Sequence, residues 1–107
     1  MPMESKMIEE ISENKFNECV KGKAVIDFFA EWCMPCLMMA PILEEVSDRF
    51  KNVKFCKVNI EDNQALASKF KVMSIPTIVV FNNGKEVARI NGLQQADVLE
   101  EKLNSYF

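Results

Sequence analysis

The sequence predicts an α/β fold: a central mixed β-sheet flanked by helices on both faces. Three observations carry this. Ala24-Val25-Ile26-Asp27-Phe28-Phe29 is apolar on both faces apart from one acid, which marks a central, doubly covered strand. Stretches of helical apolar spacing alternate with it and with a second buried strand, Val53 to Ile60. An Asn-Gly pair at 83–84 separates two further apolar runs, a strong hairpin signal. The resulting order, β-α-β-α-β-α-β-β-α, places helices on both sides of one sheet.

The elements follow in order. Met7 to Ile11 is expected to be a short strand. Ser12 is placed as the N-cap of a helix through Phe16, Cys19 and Val20, stopped by Gly22. Strand 24–29 comes next. From Cys33 to about Phe50 the apolar period is helical, through Met39, Ile42, Leu43 and Val46, with Pro41 expected to kink the run. After strand 53–60, Asp62 is placed as the cap of a helix carrying Leu66 and Phe70. Thr77–Phe81 and Glu86–Ile90 form the hairpin. A last helix shows Leu99, Leu103 and Tyr106 on one face.

The chain has 107 residues, 49% hydrophobic and 27% charged, with three glycines and four prolines scattered along it. That fits one soluble domain over 1–107 with no linker. A net charge of −3 suggests no phosphate-binding surface, so nucleic acid is not an expected partner. There is no histidine. Ser-His-Asp and Cys-His nucleophile pairs and His-ligated zinc are thereby excluded. The amino-terminal residues contain no apolar signal-like region, and no stretch is long enough to span a membrane. The expected location is cytoplasmic, where cysteines stay reduced unless they do redox work or bind metal.

Trp32-Cys33-Met34-Pro35-Cys36 is the sharpest feature. It places two thiols three residues apart at the start of a helix and just after a buried strand. Unpaired N–H groups and the helix dipole favour a thiolate on Cys33. Pro35 fits the first turn, where its missing N–H costs little. Cys36, one turn further in, is expected to be the more buried. The pair suits a two-step exchange: Cys33 attacks a partner's disulfide, and Cys36 resolves the mixed disulfide. The competing reading is half a zinc site, but a ribbon needs two CxxC pairs and only one is present. No metal is expected.

Taken together, Val25-Ile26-Asp27-Phe28, Ala30-Glu31-Trp32-Cys33, Pro35-Cys36, Pro41, Lys57-Val58-Asn59, Ser74-Ile75-Pro76-Thr77, Asn83-Gly84 and Gly92 give a sequence that resembles the thioredoxin family from end to end. The resemblance implies a thioredoxin fold and protein-disulfide reductase activity through a redox-active Cys33–Cys36 disulfide. It implies a cis bond before Pro76, facing the dithiol. Asp27 would be the proton acceptor serving Cys36, with Lys57 modulating it. Burial alone argues in the same direction, since a carboxylate inside an apolar strand has a raised pKa; the rival is a surface Asp on an outer strand. Around Pro76, the Ile75 backbone would be open to an added client strand, and Trp32, Ile75 and Gly92 would line the groove. The rival for Pro76 is an ordinary strand-start proline.

The chain departs from the family at several points. Met34-Pro35 stands where Gly-Pro is usual between the cysteines. Leu37 replaces the usual lysine, and Phe29 a usual tryptophan. Met34 and Met73 are read as a soft apolar rim for protein partners, extended by Leu37, against the rival of gap filling in the core. Met38 is open between the same two readings, whereas Met39 is assigned to the core. Cys19 and Cys56 are expected to be structural core thiols rather than a second disulfide.

The expected activity is therefore a reductase without a bound cofactor. Its electrons come from a thioredoxin reductase or equivalent donor, since no nucleotide-binding glycine motif is present, and go to oxidised client proteins. The resemblance implies a monomer. Two alternatives stand beside it: a thiol oxidase or isomerase of the same fold, and a binding subunit that does not use the thiols.

Overall fold

The computed structural model describes residues 8–107. The elements are β1 (Glu9–Glu10), α1 (Glu13–Cys19), β2 (Lys23–Phe29), α2 (Met34–Ser47), β3 (Lys54–Asn59), α3 (Gln64–Lys69), β4 (Thr77–Asn82), β5 (Lys85–Asn91) and α4 (Ala96–Asn104). This is the order expected. The sheet runs β1-β3-β2-β4-β5. β1, β3 and β2 are parallel, while β4 is antiparallel to both β2 and β5.

β2 is thus the central strand, and Ala24, Val25, Ile26 and Phe28 are wholly buried. Successive residues point to opposite faces. Ile26 and Phe28 enter a cluster with Phe16, Cys19, Leu66 and Phe81, under α1 and α3. Val25 enters the other, with Met39, Leu43, Val46, Leu99 and Leu103, under α2 and α4. In the first layer the Phe16, Phe70 and Phe81 rings meet in tilted and edge-on pairs, 5.2 to 5.5 Å between centroids. The β4–β5 turn has Asn83 and Gly84 at φ 57° and 82°, the left-handed pair a tight hairpin needs.

Several boundaries differ from expectation. β1 is two residues long, and Met7, the proposed start, lies outside the described residues. α2 ends at Ser47 with Asp48 as C-cap, so Phe50 is beyond the helix and packs on Phe55 and Phe107 instead. Pro41 lies within a continuous helical element. Tyr106 lies past the end of α4 and is exposed, so the buried face of that helix is Leu99 and Leu103.

The caps are the clearest correction. Ser12 is the N-cap of α1, but its hydroxyl donates to Asn14 Oδ1 rather than accepting from the helix. Asn63, not Asp62, is the N-cap of α3. The buried Asn63 side chain serves other elements: Oδ1 accepts from the Glu13 N–H at 3.0 Å and Nδ2 donates to the Asn59 carbonyl at 3.0 Å. One amide thereby ties the starts of α1 and α3 to the end of β3. Replacing it strands two backbone groups.

Asn63→Ala is expected to cost about 1–3 kcal/mol, read as a lowered urea midpoint, while Ser12→Ala stays within about 0.5 kcal/mol. A larger loss for Ser12→Ala than for Asn63→Ala would contradict this capping scheme.

Candidate active site

The site forms where β2 ends. The chain leaves Phe29, passes Ala30, Glu31 and Trp32, and enters α2. Cys33 is the N-cap of that helix in extended backbone, and its Sγ accepts the Cys36 N–H at 3.2 Å. Cys33 and Cys36 form a disulfide with Cα atoms 5.2 Å apart. Pro35 occupies the first turn, where a proline leaves no hydrogen bond unmade. A sulfur at this position faces the unpaired N–H groups and positive end of the helix dipole.

Both cysteines are buried, 5% exposed at Cys33 and 4% at Cys36. The expected contrast between an outer and a deeper sulfur is therefore absent in the disulfide form. The cause is the cap itself: it folds Cys33 Sγ back on the first turn, where Ala30, Phe29, Ile60 and Ile75 pack around the pair.

The opposite wall comes from the segment before β4. The Ile75–Pro76 bond is cis, and Ile75 packs against the disulfide. The Gly92 N–H donates to the Pro76 carbonyl at 2.8 Å, and Gly92 has φ 86°, a conformation glycine adopts at no steric cost. The Thr77 hydroxyl donates to the Ser74 carbonyl at 2.7 Å and lies 3.1 Å from Asn91 Oδ1. The loop is thus held from both ends.

Asp27 shares its face of β2 with Val25 and Phe29, which pack against the α2 layer and the disulfide respectively. It is 3% exposed, and its Oδ1 is buried without a hydrogen-bond partner. Burial pushes the carboxyl up to about 7, against a downward pull from Lys57. Lys57 is its register partner on β3. The Lys57 ammonium lies over the Phe29 ring, 5.3 Å from the centroid. One acid and one base singled out in the sequence therefore stand in register on neighbouring strands, the acid on the strand that delivers the dithiol.

Around this centre the surface is apolar and open. Trp32 is 66% exposed, Met34 64% and Met73 91%. Leu37 and Met38 are also exposed, whereas Met39 is fully buried, as its helical phase predicts. A groove of about 680 Å³ runs from Trp32 to Met73 over Ile60, Ala67 and Val72. Glu61, which the sequence reading missed, accepts the Trp32 indole N–H at 2.5 Å. Its own N–H donates to Asn59 Oδ1 at 2.9 Å. Its signal was its place: the loop after a parallel strand, at the sheet end where sites gather. Cys19 and Cys56 are buried in the α1/α3 layer, away from this cluster.

The family model for thioredoxin matches residues 7–105. The chain is 43% identical to the thioredoxin of Chlamydia caviae over 101 residues, covering 94% of this chain and 99% of that one. Its fold is similar to that of Plasmodium falciparum thioredoxin, with a TM-score of 0.87 and 29% identity, covering 94% of this chain and 100% of the other. It is also similar to mitochondrial thioredoxin 3 of Saccharomyces cerevisiae in its oxidised form, with a TM-score of 0.83 and 30% identity over 92% and 94% of the two chains.

The Asp27 carboxyl binds its proton more tightly in the folded chain than in the unfolded one. The stability this brings is full below the unfolded pKa of 3.8 and is lost as pH rises through about 7. Asp27→Asn is therefore expected to raise stability at pH 8.5 by up to about 4 kcal/mol, with the gain vanishing towards pH 4. A gain independent of pH, measured by urea unfolding, would remove burial of the ionised form as its cause.

Proposed function

The chain belongs to the thioredoxin family and is a protein-disulfide oxidoreductase with a redox-active cysteine pair, and from that premise we propose that Cys33 attacks and Cys36 resolves. In the reduced chain the Cys33 thiolate attacks one sulfur of a client disulfide. That bond breaks, a mixed disulfide forms, and the second client sulfur leaves as a thiolate. Asp27 takes the Cys36 proton, and Cys36 attacks Cys33 Sγ to release the reduced client. Lys57 tunes Asp27 by its charge. The observation that supports this assignment is the helix cap: Cys33 Sγ accepts the Cys36 N–H, so the helix start is placed to stabilise charge on that sulfur once the disulfide opens.

The client segment is proposed to lie extended beside Ile75 and Pro76, with Trp32 and Gly92 at its flanks and Met34 and Met73 as an adaptable rim. The exposure of these apolar side chains supports that reading. A separate reductase protein would return electrons to the disulfide. We read residues 1–107 as one domain acting as a monomer in the cytoplasm; in the described residues no helix is long and apolar enough to cross a membrane.

Cys36→Ser is expected to trap clients as mixed disulfides on Cys33, seen as adducts that a reducing agent releases; adducts on any other cysteine would overturn the assignment. Asp27→Asn should slow resolution by about 100-fold and remove the inflection near pH 7 from the rate profile. An unchanged profile from pH 6 to 9 would take Asp27 out of the proton path. Replacing Met34 and Met73 by serine should raise KM for protein disulfides more than for small ones. Equal effects would argue against the rim.

A further inference from the structure

Two buried thiols take no part in this exchange. Cys19 ends α1 and Cys56 sits in β3, and both belong to the core cluster under α1 and α3. Cys19 is a neighbour of Cys56, and burial first, then the Cys19 side chain beside it, pushes the Cys56 thiol far above its ordinary range.

The two sulfurs differ in access. Cys56 is fully enclosed, whereas Cys19 is 7% exposed and lines a small surface cavity of about 150 Å³. Glu9, Lys15, Glu18 and Lys54 also line that cavity. A small oxidant in that cavity therefore meets Cys19 before Cys56. A thiol at the edge of a cavity with a second thiol beside it is the arrangement in which a sulfenic acid is captured as a disulfide before further oxidation.

We propose that Cys19 and Cys56 form a second dithiol, which a hydroperoxide oxidises to an intrachain disulfide independently of Cys33 and Cys36. In the first step Cys19 Sγ attacks the outer peroxide oxygen. The O–O bond breaks, an S–O bond forms, and the Cys19 proton goes to the departing alkoxide, giving an alcohol, or water from hydrogen peroxide. In the second step Cys56 Sγ attacks the Cys19 sulfenic sulfur. The S–S bond forms, the S–O bond breaks, and the Cys56 proton leaves with the hydroxide as water. Two thiols lose two electrons and one peroxide gains them. The product links the end of α1 to the middle of β3, closing the loop from 19 to 56. Such a link constrains the unfolded chain and raises the thermal midpoint.

The test starts from the chain with its Cys33–Cys36 disulfide closed, so that Cys19 and Cys56 are its free cysteines. The folded protein is treated with hydrogen peroxide, then denatured, alkylated and weighed. Met73, 91% exposed, gains oxygen under the same conditions and reports the dose. Both thiols are expected to vanish together, with a Cys19–Cys56 peptide and a higher melting temperature. Two alkylatable thiols persisting after Met73 is fully oxidised would overturn the proposal. So would sulfinic acid on Cys19, a bridge between two copies, or reaction only in denaturant. In Cys56→Ala, which lacks the capturing thiol, Cys19 should accumulate as a sulfenic acid trapped by a 1,3-dione; absence of that adduct would refute Cys19 as the attacking sulfur.

Discussion

A strand hydrogen-bonded along both sides and covered on both faces has one register only, and β2 is in that position. A one-residue slip would carry Ile26 and Phe28 out of the α1/α3 layer and Val25 out of the α2/α4 layer. The same fixed register places Asp27 opposite Lys57 and brings the chain out at Phe29, four residues before the Cys33 cap. The dithiol, its neighbouring carboxyl and the helix start are thus set by one strand pairing.

That strand also carries the structure's main local conflict. A carboxyl with a buried, unpartnered oxygen in a β-strand opposes folding whenever it is ionised. The surrounding layers absorb this: the Phe16–Phe70–Phe81 group on one side and Leu43, Leu99 and Leu103 on the other are nearly or wholly buried or tightly stacked. Local rules broken inside a well-packed frame are what a functional residue looks like from the standpoint of stability. A second anchoring device supports the frame at its far side. Arg89 of β5 pairs with Glu86 and donates to the Phe70 carbonyl at 2.7 Å, fastening the end of α3 to the hairpin.

Most of this was legible from sequence because its signals are local. The doubly apolar run of β2, the Asn83-Gly84 turn and the Cys33–Cys36 spacing each follow from a few adjacent residues. Asp27 stood out as the single acid in an apolar run. What escaped notice depends on contacts between distant segments. Asn63 reads as an ordinary polar residue until Glu13, fifty positions away, is brought to it. Glu61 likewise has no meaning apart from Trp32. The near-equal burial of the two cysteines was hidden because Ile75, remote in sequence, supplies the cover. Cys19 and Cys56 belong to one core cluster but to different elements, so their proximity left no spacing to read.

The outermost strands have a consequence of a different kind. β1 is only two residues, both exposed glutamates, and β5 presents Lys85, Glu86 and Arg89 along its length. Charged margins, one of them only two residues long, discourage one sheet from zipping onto another and seeding fibrous aggregates. A protein proposed to accept extended segments from many clients at Ile75 must offer unpaired backbone somewhere. Here that offer is proposed for one loop beside the sulfurs, while charge along the sheet's outer strands disfavours pairing of one copy with another.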